Sequence, residues 1–271
     1  MIPKFIFRYH CAMADEPRLL VTLKDGVKTI TFNAPERRNA VDRATSERLL
    51  EVVQETARDD TKVVVLTGAG EAFCAGADLT SSRPGGDDVT EFLRRIVNPT
   101  IIALREMPKP VIARIHGHAV GVGCNYALAA DIRIASTEAK FGQVFSKIAL
   151  IPDGGSTYFL PRMIGYPKAF EWMVTGAIID AQQASELGLV NCVLPVKELD
   201  QVVEDWVARL RAGPALAIAG IKRALTFGES HTLAEALDFE AVTQQKCYQS
   251  QDFREGVAAF REKRKAVFQG R

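Results

Sequence analysis

Three short stretches constrain this chain more than any other feature: Val63–Leu66, a continuous apolar run, and Val111–Ile115 and Ile132–Ala135, each apolar but for one arginine. None shows the strict apolar–polar alternation of a strand with one wet face. Near-continuous runs of this kind are what strands buried on both faces require. The first two runs are each followed by a small, glycine-rich stretch and then a helical pattern before the next run begins. That order favours parallel strands joined by helical crossovers, an α/β architecture.

Other elements fit around this frame. Leu19–Lys24 and Val27–Phe32 read as strands joined at Asp25-Gly26, a strong hairpin signal. Asn33 to Asn39 is rich in turn residues, and Leu49, Leu50, Val53 and Ala57 then share one face of a helix. Ser81 to Asp88, with Arg83-Pro84-Gly85-Gly86, reads as a mobile loop before a helix ending near Glu106. Gly117 to Cys124 reads as a loop, and Tyr126–Ala130 as a helix. After Gly154 helical patterns dominate, with one apolar face at Val203, Trp206, Val207 and Leu210 and another at Phe253, Val257 and Phe260. The expected organisation is a flexible extension over 1–18, an α/β core over 19–194 and a helical C-terminal region over 195–271.

Composition narrows the function. A net charge of +1 over 271 residues gives no push towards nucleic acid or a membrane surface, and no apolar run is long enough to span a bilayer. The five cysteines are scattered, with no CxxC pair, which predicts reduced thiols and a cytoplasmic location. Met1 to Met13 lacks the long apolar stretch and cleavage site of a secretory signal, and Met13 is a second possible start.

Three loops are candidates for chemistry: Phe73–Leu79, Gly117–Cys124, and Pro152–Ser156, which opens a helix near Gly155. Small residues let backbone approach a ligand, and turns before helices leave N–H groups free. Two such groups aimed at one oxygen form an oxyanion hole, although close helix–sheet packing explains the same glycines. Neither a GxGxxG fingerprint nor a GxxxxGK[ST] loop is present, which excludes the common nucleotide folds at the motif. His116 and His118 lack further metal ligands at suitable spacing, so no metal is expected.

The order Asn33–Ala40, Phe73–Leu79, Gly117–Cys124, Phe141–Gln143, Ile151–Gly155, Leu187–Asn191 and Phe253–Gly256 resembles the enoyl-CoA hydratase/isomerase, or crotonase, superfamily from about Leu19 onward. The resemblance implies a spiral of repeated ββα units with a helical C-terminal region used for trimerisation or as a lid. It implies a homotrimer or homohexamer and an acyl-CoA thioester as ligand. Coenzyme A then arrives as part of the substrate, with no tightly bound cofactor. By position it assigns the oxyanion-hole amides to Ala77 and Val122, where only the N–H matters. It lays Ala75, Ala77, Asp78 and Leu79 along the CoA chain. Arg37, Arg38 and Lys263 are candidates for its phosphates, since cations suit phosphate, the alternative being solvated surface charges. Asn125, Phe145 and Tyr158 are candidates for the acyl pocket, the alternative for the two aromatics being simple packing.

Hydratase-like members of the family carry glutamates where this chain has Asn125 and Phe145. Asn does not titrate and Phe has no polar atom, so the usual pair for activating water is missing. One carboxyl group remains, Asp153. The run Phe145–Asp153 is similar to ring epoxide and oxepin-CoA isomerases of phenylacetate breakdown. A double-bond shift needs one base, which takes a proton from the α carbon and returns it to the γ carbon. Asp153 is therefore the expected acid/base of an enoyl-CoA isomerase. The bland alternative is that its side chain caps the following helix. Rival functions are a hydratase, a hydrolase or dehalogenase with Asp153 as nucleophile, and a silent acyl-CoA-binding protein.

Overall fold

The computed structural model describes residues 17–80 and 88–271. Most of the expected N-terminal extension and of the expected mobile loop therefore lies outside the described residues. Pro17 and Arg18 were expected in that extension, yet they belong to the fold. Asn33 donates to both of their carbonyls, and Arg18 pairs with Asp42 at 2.7 Å.

Among the described residues the strands are β1 (Leu19–Lys24), β2 (Val27–Phe32), β3 (Val63–Gly68), β4 (Val111–Ile115), β5 (His118–Val120), β6 (Ile132–Ser136), β7 (Lys140–Gly142), β8 (Ile178–Asp180) and β9 (Cys192–Leu194). The helices are α1 (Arg43–Thr56), α2 (Val89–Phe92), α3 (Asn98–Glu106), α4 (Val122–Ala129), α5 (Ser156–Ile164), α6 (Tyr166–Thr175), α7 (Ala181–Glu186), α8 (Val196–Arg211), α9 (Ala215–Gly228), α10 (Leu233–Tyr248) and α11 (Gln251–Glu262).

The hairpin forms as read. Asp25 and Gly26 both have positive φ, 51° and 77°, the pattern of the turn that matches strand twist. The remaining strands of the large sheet are parallel, in the order β1-β2-β3-β4-β6-β9. A second sheet, β5-β7-β8, stands beside it. β4 is followed by β5 and β6 by β7, so that successive turns of the chain lay a strand in the large sheet and a short one in the small sheet, with helices between. This is the expected spiral.

Burial on both faces explains the apolar runs. Val64 and Leu66 of β3 pack in the cluster that includes Leu49 and Val53 of α1. Val63 and Val65 point the other way, onto Leu199 and Val203 of α8. Ile112 of β4 and Ile134 of β6 join that second cluster. So α8 covers the sheet, although it lies past the boundary expected at Leu194.

Three readings need correction. The segment Gly117–Cys124 is not all loop: it contains β5, and α4 starts at Val122, ahead of the expected Tyr126. Two strands, β8 and β9, follow Gly154 in a stretch read as helical. The face of α11 formed by Phe253 and Phe260 does not enter the core, since Phe260 is 85% exposed. Phe253 instead lies against the Tyr248 ring, with centroids 4.5 Å apart.

Candidate active site

The Asn33–Ala40 motif organises the loop after β3. Asn39 is buried, with its Oδ1 accepting from Ala34 N and its Nδ2 donating to the Ala69 and Ala72 carbonyls. Ala75 N donates to Arg38 O, Val41 N to Gly76 O, and Asp78 N to Val41 O. The last two bonds make a parallel bridge between Val41 and Ala77. In such a bridge the N–H of the bridging residue points away from the partner strand, so Ala77 turns its amide elsewhere.

The loops of Ala77 and Val122 meet at a glycine. Gly76 has φ of 95°, and a Cβ there would sit 2.8 Å from the Val120 carbonyl oxygen. Only glycine permits this approach. Val122 opens α4, so its N–H has no acceptor within the helix. Phe145 is buried in the 3-10 turn Val144–Ile148 and reaches the same glycine contact, beside Gly121.

The third loop closes over this point. Gly154 has φ of 53°, and a Cβ there would stand 3.2 Å from the Asn125 Cβ and 3.5 Å from a Val122 methyl. The Asp153-Gly154 segment is therefore brought beside Asn125 and Val122. Its side chain does not cap α5. The cap is its backbone carbonyl, which accepts from Ser156 N at 3.1 Å, Ser156 Oγ at 2.9 Å and Asn125 Nδ2 at 2.8 Å. Its carboxylate oxygen Oδ1 is buried and has no hydrogen-bond partner among the described residues. Burial pushes the Asp153 carboxyl up to about 6. A carboxyl group poised there can take and return a proton near neutral pH.

Asp78 behaves oppositely. Its Oδ1 accepts from Thr80 N and Oγ1, and its Oδ2 accepts from Arg37 at 2.7 Å. Those bonds, Thr80's hydroxyl first, hold its carboxyl below the ordinary carboxylate range. It is a loop brace and stays ionised. Cys74 and Cys124 are buried and their thiols are pushed up to about 12, so neither is a nucleophile at neutral pH. His116 Nε2 lies 2.9 Å from Gly70 O, and its Nδ1 lies 2.8 Å from Arg114. Both contacts are structural.

The chain matches the enoyl-CoA hydratase/isomerase family over residues 22–271. It is a member of that family. It is 38% identical over 258 residues to 1,2-epoxyphenylacetyl-CoA isomerase of Escherichia coli, covering 93% of this chain and 98% of that one. It is 34% identical over 246 residues to (E)-benzylidenesuccinyl-CoA hydratase of Thauera aromatica, covering 90% and 96%. The crystal structure of an enoyl-CoA hydratase from Bacillus anthracis superposes with a TM-score of 0.89 at 34% identity, covering 94% of this chain and all of that one. The fold is that of the crotonases, and the relatives include both isomerases and hydratases.

The structure brings together the segments that carry Ala77, Val122, Phe145 and Asp153. Asn125 was expected at the acyl group, but it is fully buried and both its amide atoms are engaged. Arg37 stands at the edge, braced by Asp78 and Thr80. Lys263 caps the C-terminus of α11, a helix that packs against α10. Tyr158 is part-exposed, with its hydroxyl donating to Glu229 and Arg162 lying over its ring. Gln143 was overlooked. It is wholly buried and donates to Asn125 Oδ1 at 2.8 Å. Its place in the Phe141–Gln143 motif was the available signal.

Proposed function

We propose that this chain is an enoyl-CoA isomerase that shifts a double bond in an acyl-CoA thioester through an enolate. Asp153 is its single acid/base. The observation that carries this reading is a half-buried carboxyl group whose Oδ1 is buried and has no hydrogen-bond partner among the described residues, on the loop whose Gly154 packs against Asn125 and Val122. The thioester oxygen sits between the Ala77 and Val122 amides, which stabilise the negative charge as it develops. Asp153 removes the proton at the α carbon, electrons move into the thioester oxygen, and the carboxylic acid so formed delivers that proton to the γ carbon. Proton and electrons balance with no metal or redox cofactor. Ala75, Asp78 and Leu79 supply the loop along the CoA chain, Arg37 and Lys263 its phosphate contacts, and Phe145 a wall of the acyl pocket.

Water addition is the weaker reading, because the two positions that would share its proton transfers hold Asn125 and Phe145. The test is a panel of 3-enoyl, 2-enoyl and aromatic-ring-derived CoA thioesters, read by mass and absorbance. Isomerisation without mass change supports the proposal. Gain of 18 mass units from a 2-enoyl-CoA, the mass of one water, at a rate exceeding any isomerisation would overturn it.

A further inference from the structure

Residue 125 does more than lack a carboxylate. Asn125 is fully buried, so it has no surface to offer a substrate. Its backbone N–H donates to Gly121 O at 3.2 Å, closing the first turn of α4, which presents the Val122 amide. Its side-chain Nδ2 donates to the Asp153 carbonyl at 2.8 Å, across 28 residues of sequence. Its Oδ1 accepts from Gln143 Nε2 at 2.8 Å. Gln143 precedes the turn that carries Phe145, and Gly121 N donates to the carbonyl of Gly142 next to it. One amide pair thus ties together the three segments that carry Val122, Phe145 and Asp153.

We infer that Asn125 and Gln143 are positioning residues for the isomerase reaction, a buried two-amide relay that holds the peptide of Asp153 at a set distance from the Val122 amide. The inference rests on the proposed role of Asp153. Its physical basis is directional. A carboxamide both donates and accepts, so Asn125 can grip the Asp153 carbonyl and be gripped by Gln143 at once. A carboxylate at position 125 accepts only. It would repel the Asp153 carbonyl and add a negative charge beside the base. The relay therefore also keeps the surroundings of Asp153 neutral. The titratable group that registers Asp153 is the Tyr126 phenol on α4, itself pushed up by burial and paired with Ser46. The shift of the Asp153 carboxyl itself comes from burial.

The test compares kcat, KM and the pH dependence of 3-hexenoyl-CoA isomerisation in Asn125→Leu, Asn125→Asp, Gln143→Leu and Asp153→Asn, with thermal melting of each. Asn125→Leu keeps the shape and removes both bonds. Its kcat should fall about 10–100-fold, the scale of a small misplacement of a reacting group, with KM changed by less than about three-fold. The midpoint of its pH–rate rise should move from about 6 down towards the ordinary aspartate value of about 3.9, as the loosened carboxyl meets water. Asn125→Asp keeps the acceptor for Gln143 but loses the donor. Its rate should also fall, and its midpoint should move up because of the like charge. Gln143→Leu should repeat the Asn125→Leu effects more weakly. If Asn125→Leu fails to melt cooperatively, the upward midpoint of Asn125→Asp carries the test. Wild-type kcat and midpoint in a folded Asn125→Leu enzyme would overturn the inference. So would kcat and KM moving together with both midpoints unmoved, the signature of a merely structural side chain. Asp153→Asn separates the two levels: if it is fully active, the isomerase reading itself fails. If it is inactive while Asn125→Leu is normal, only the relay fails.

Discussion

The Asn125 carboxamide holds Asp153 by its backbone, 2.8 Å from Nδ2 to the carbonyl oxygen, while Oδ1 of the same residue is buried with no hydrogen-bond partner among the described residues. Backbone and side chain of one residue therefore do different work. The carbonyl caps α5 and anchors the loop, and the carboxyl takes no part in the cap. Burial without compensation costs stability, the usual sign of a group kept for function.

That cost has a pH dependence. The folded-state pKa of Asp153 is raised to about 6, from an ordinary 3.8. Between those values the folded protein binds more protons than the unfolded chain, so its stability falls as pH rises through the window. Asp153→Asn has no such titration. Its melting temperature relative to wild type should therefore climb from pH 4 to pH 7 and level off above. Thermal melts at a series of pH values check this, and a constant difference would show that Asp153 titrates normally.

Asn125→Glu should not create an efficient hydratase. Phe145 still occupies the second position, and the new carboxylate loses the donor that holds Asp153. Hydration of a short 2-enoyl-CoA measures it. A large gain would mean that Asp153 can partner the new glutamate, which would weaken the argument for isomerisation.

Gly76→Ala should damage the site from a distance. Its Cβ would press on the Val120 carbonyl at 2.8 Å from a φ of 95°. The strained backbone alone costs about 1–3 kcal/mol. Thermal melting should show the loss, and kcat should fall as the Ala77 and Val122 loops part.

The C-terminal helices leave Ile221, Leu225, Leu233 and Leu237 exposed, lining or adjoining a groove of about 660 Å³ between α9 and α10. Apolar surface of this extent needs covering, and association of copies of this chain would cover it. A trimer or a pair of trimers is the expected assembly in sedimentation at micromolar concentration. A stable monomer would contradict it.

Much of this was legible in the residues, and the gaps have physical causes. The runs Val63–Leu66, Val111–Ile115 and Ile132–Ala135 announced strands because both their faces are buried. The short strands β5, β7, β8 and β9 did not stand out. Three residues carry no periodicity, and their pairing is tertiary. The apolar stripe of α11 was readable, but a stripe does not say what it packs against, and Phe260 faces outward. Asp153 was visible as a candidate, yet whether it capped α5 by side chain or by carbonyl depends on loop dihedrals. The two positive-φ glycines after it decide that. Asn125 read as the loss of a glutamate. Its grip on a carbonyl 28 residues away needs coordinates.

The central claim is that one carboxyl group moves the proton, and Asp153→Asn tests it most directly. The variant should keep its fold, because the capping carbonyl and its three donors are untouched. It should still bind CoA thioesters through the Ala77 and Val122 amides. Its rate of 3-enoyl-CoA isomerisation should fall about 10²–10⁴-fold, the range for losing a general acid–base group. A well-folded Asp153→Asn enzyme that isomerises at the wild-type rate would contradict the account and leave the chemistry of this family member to some other group.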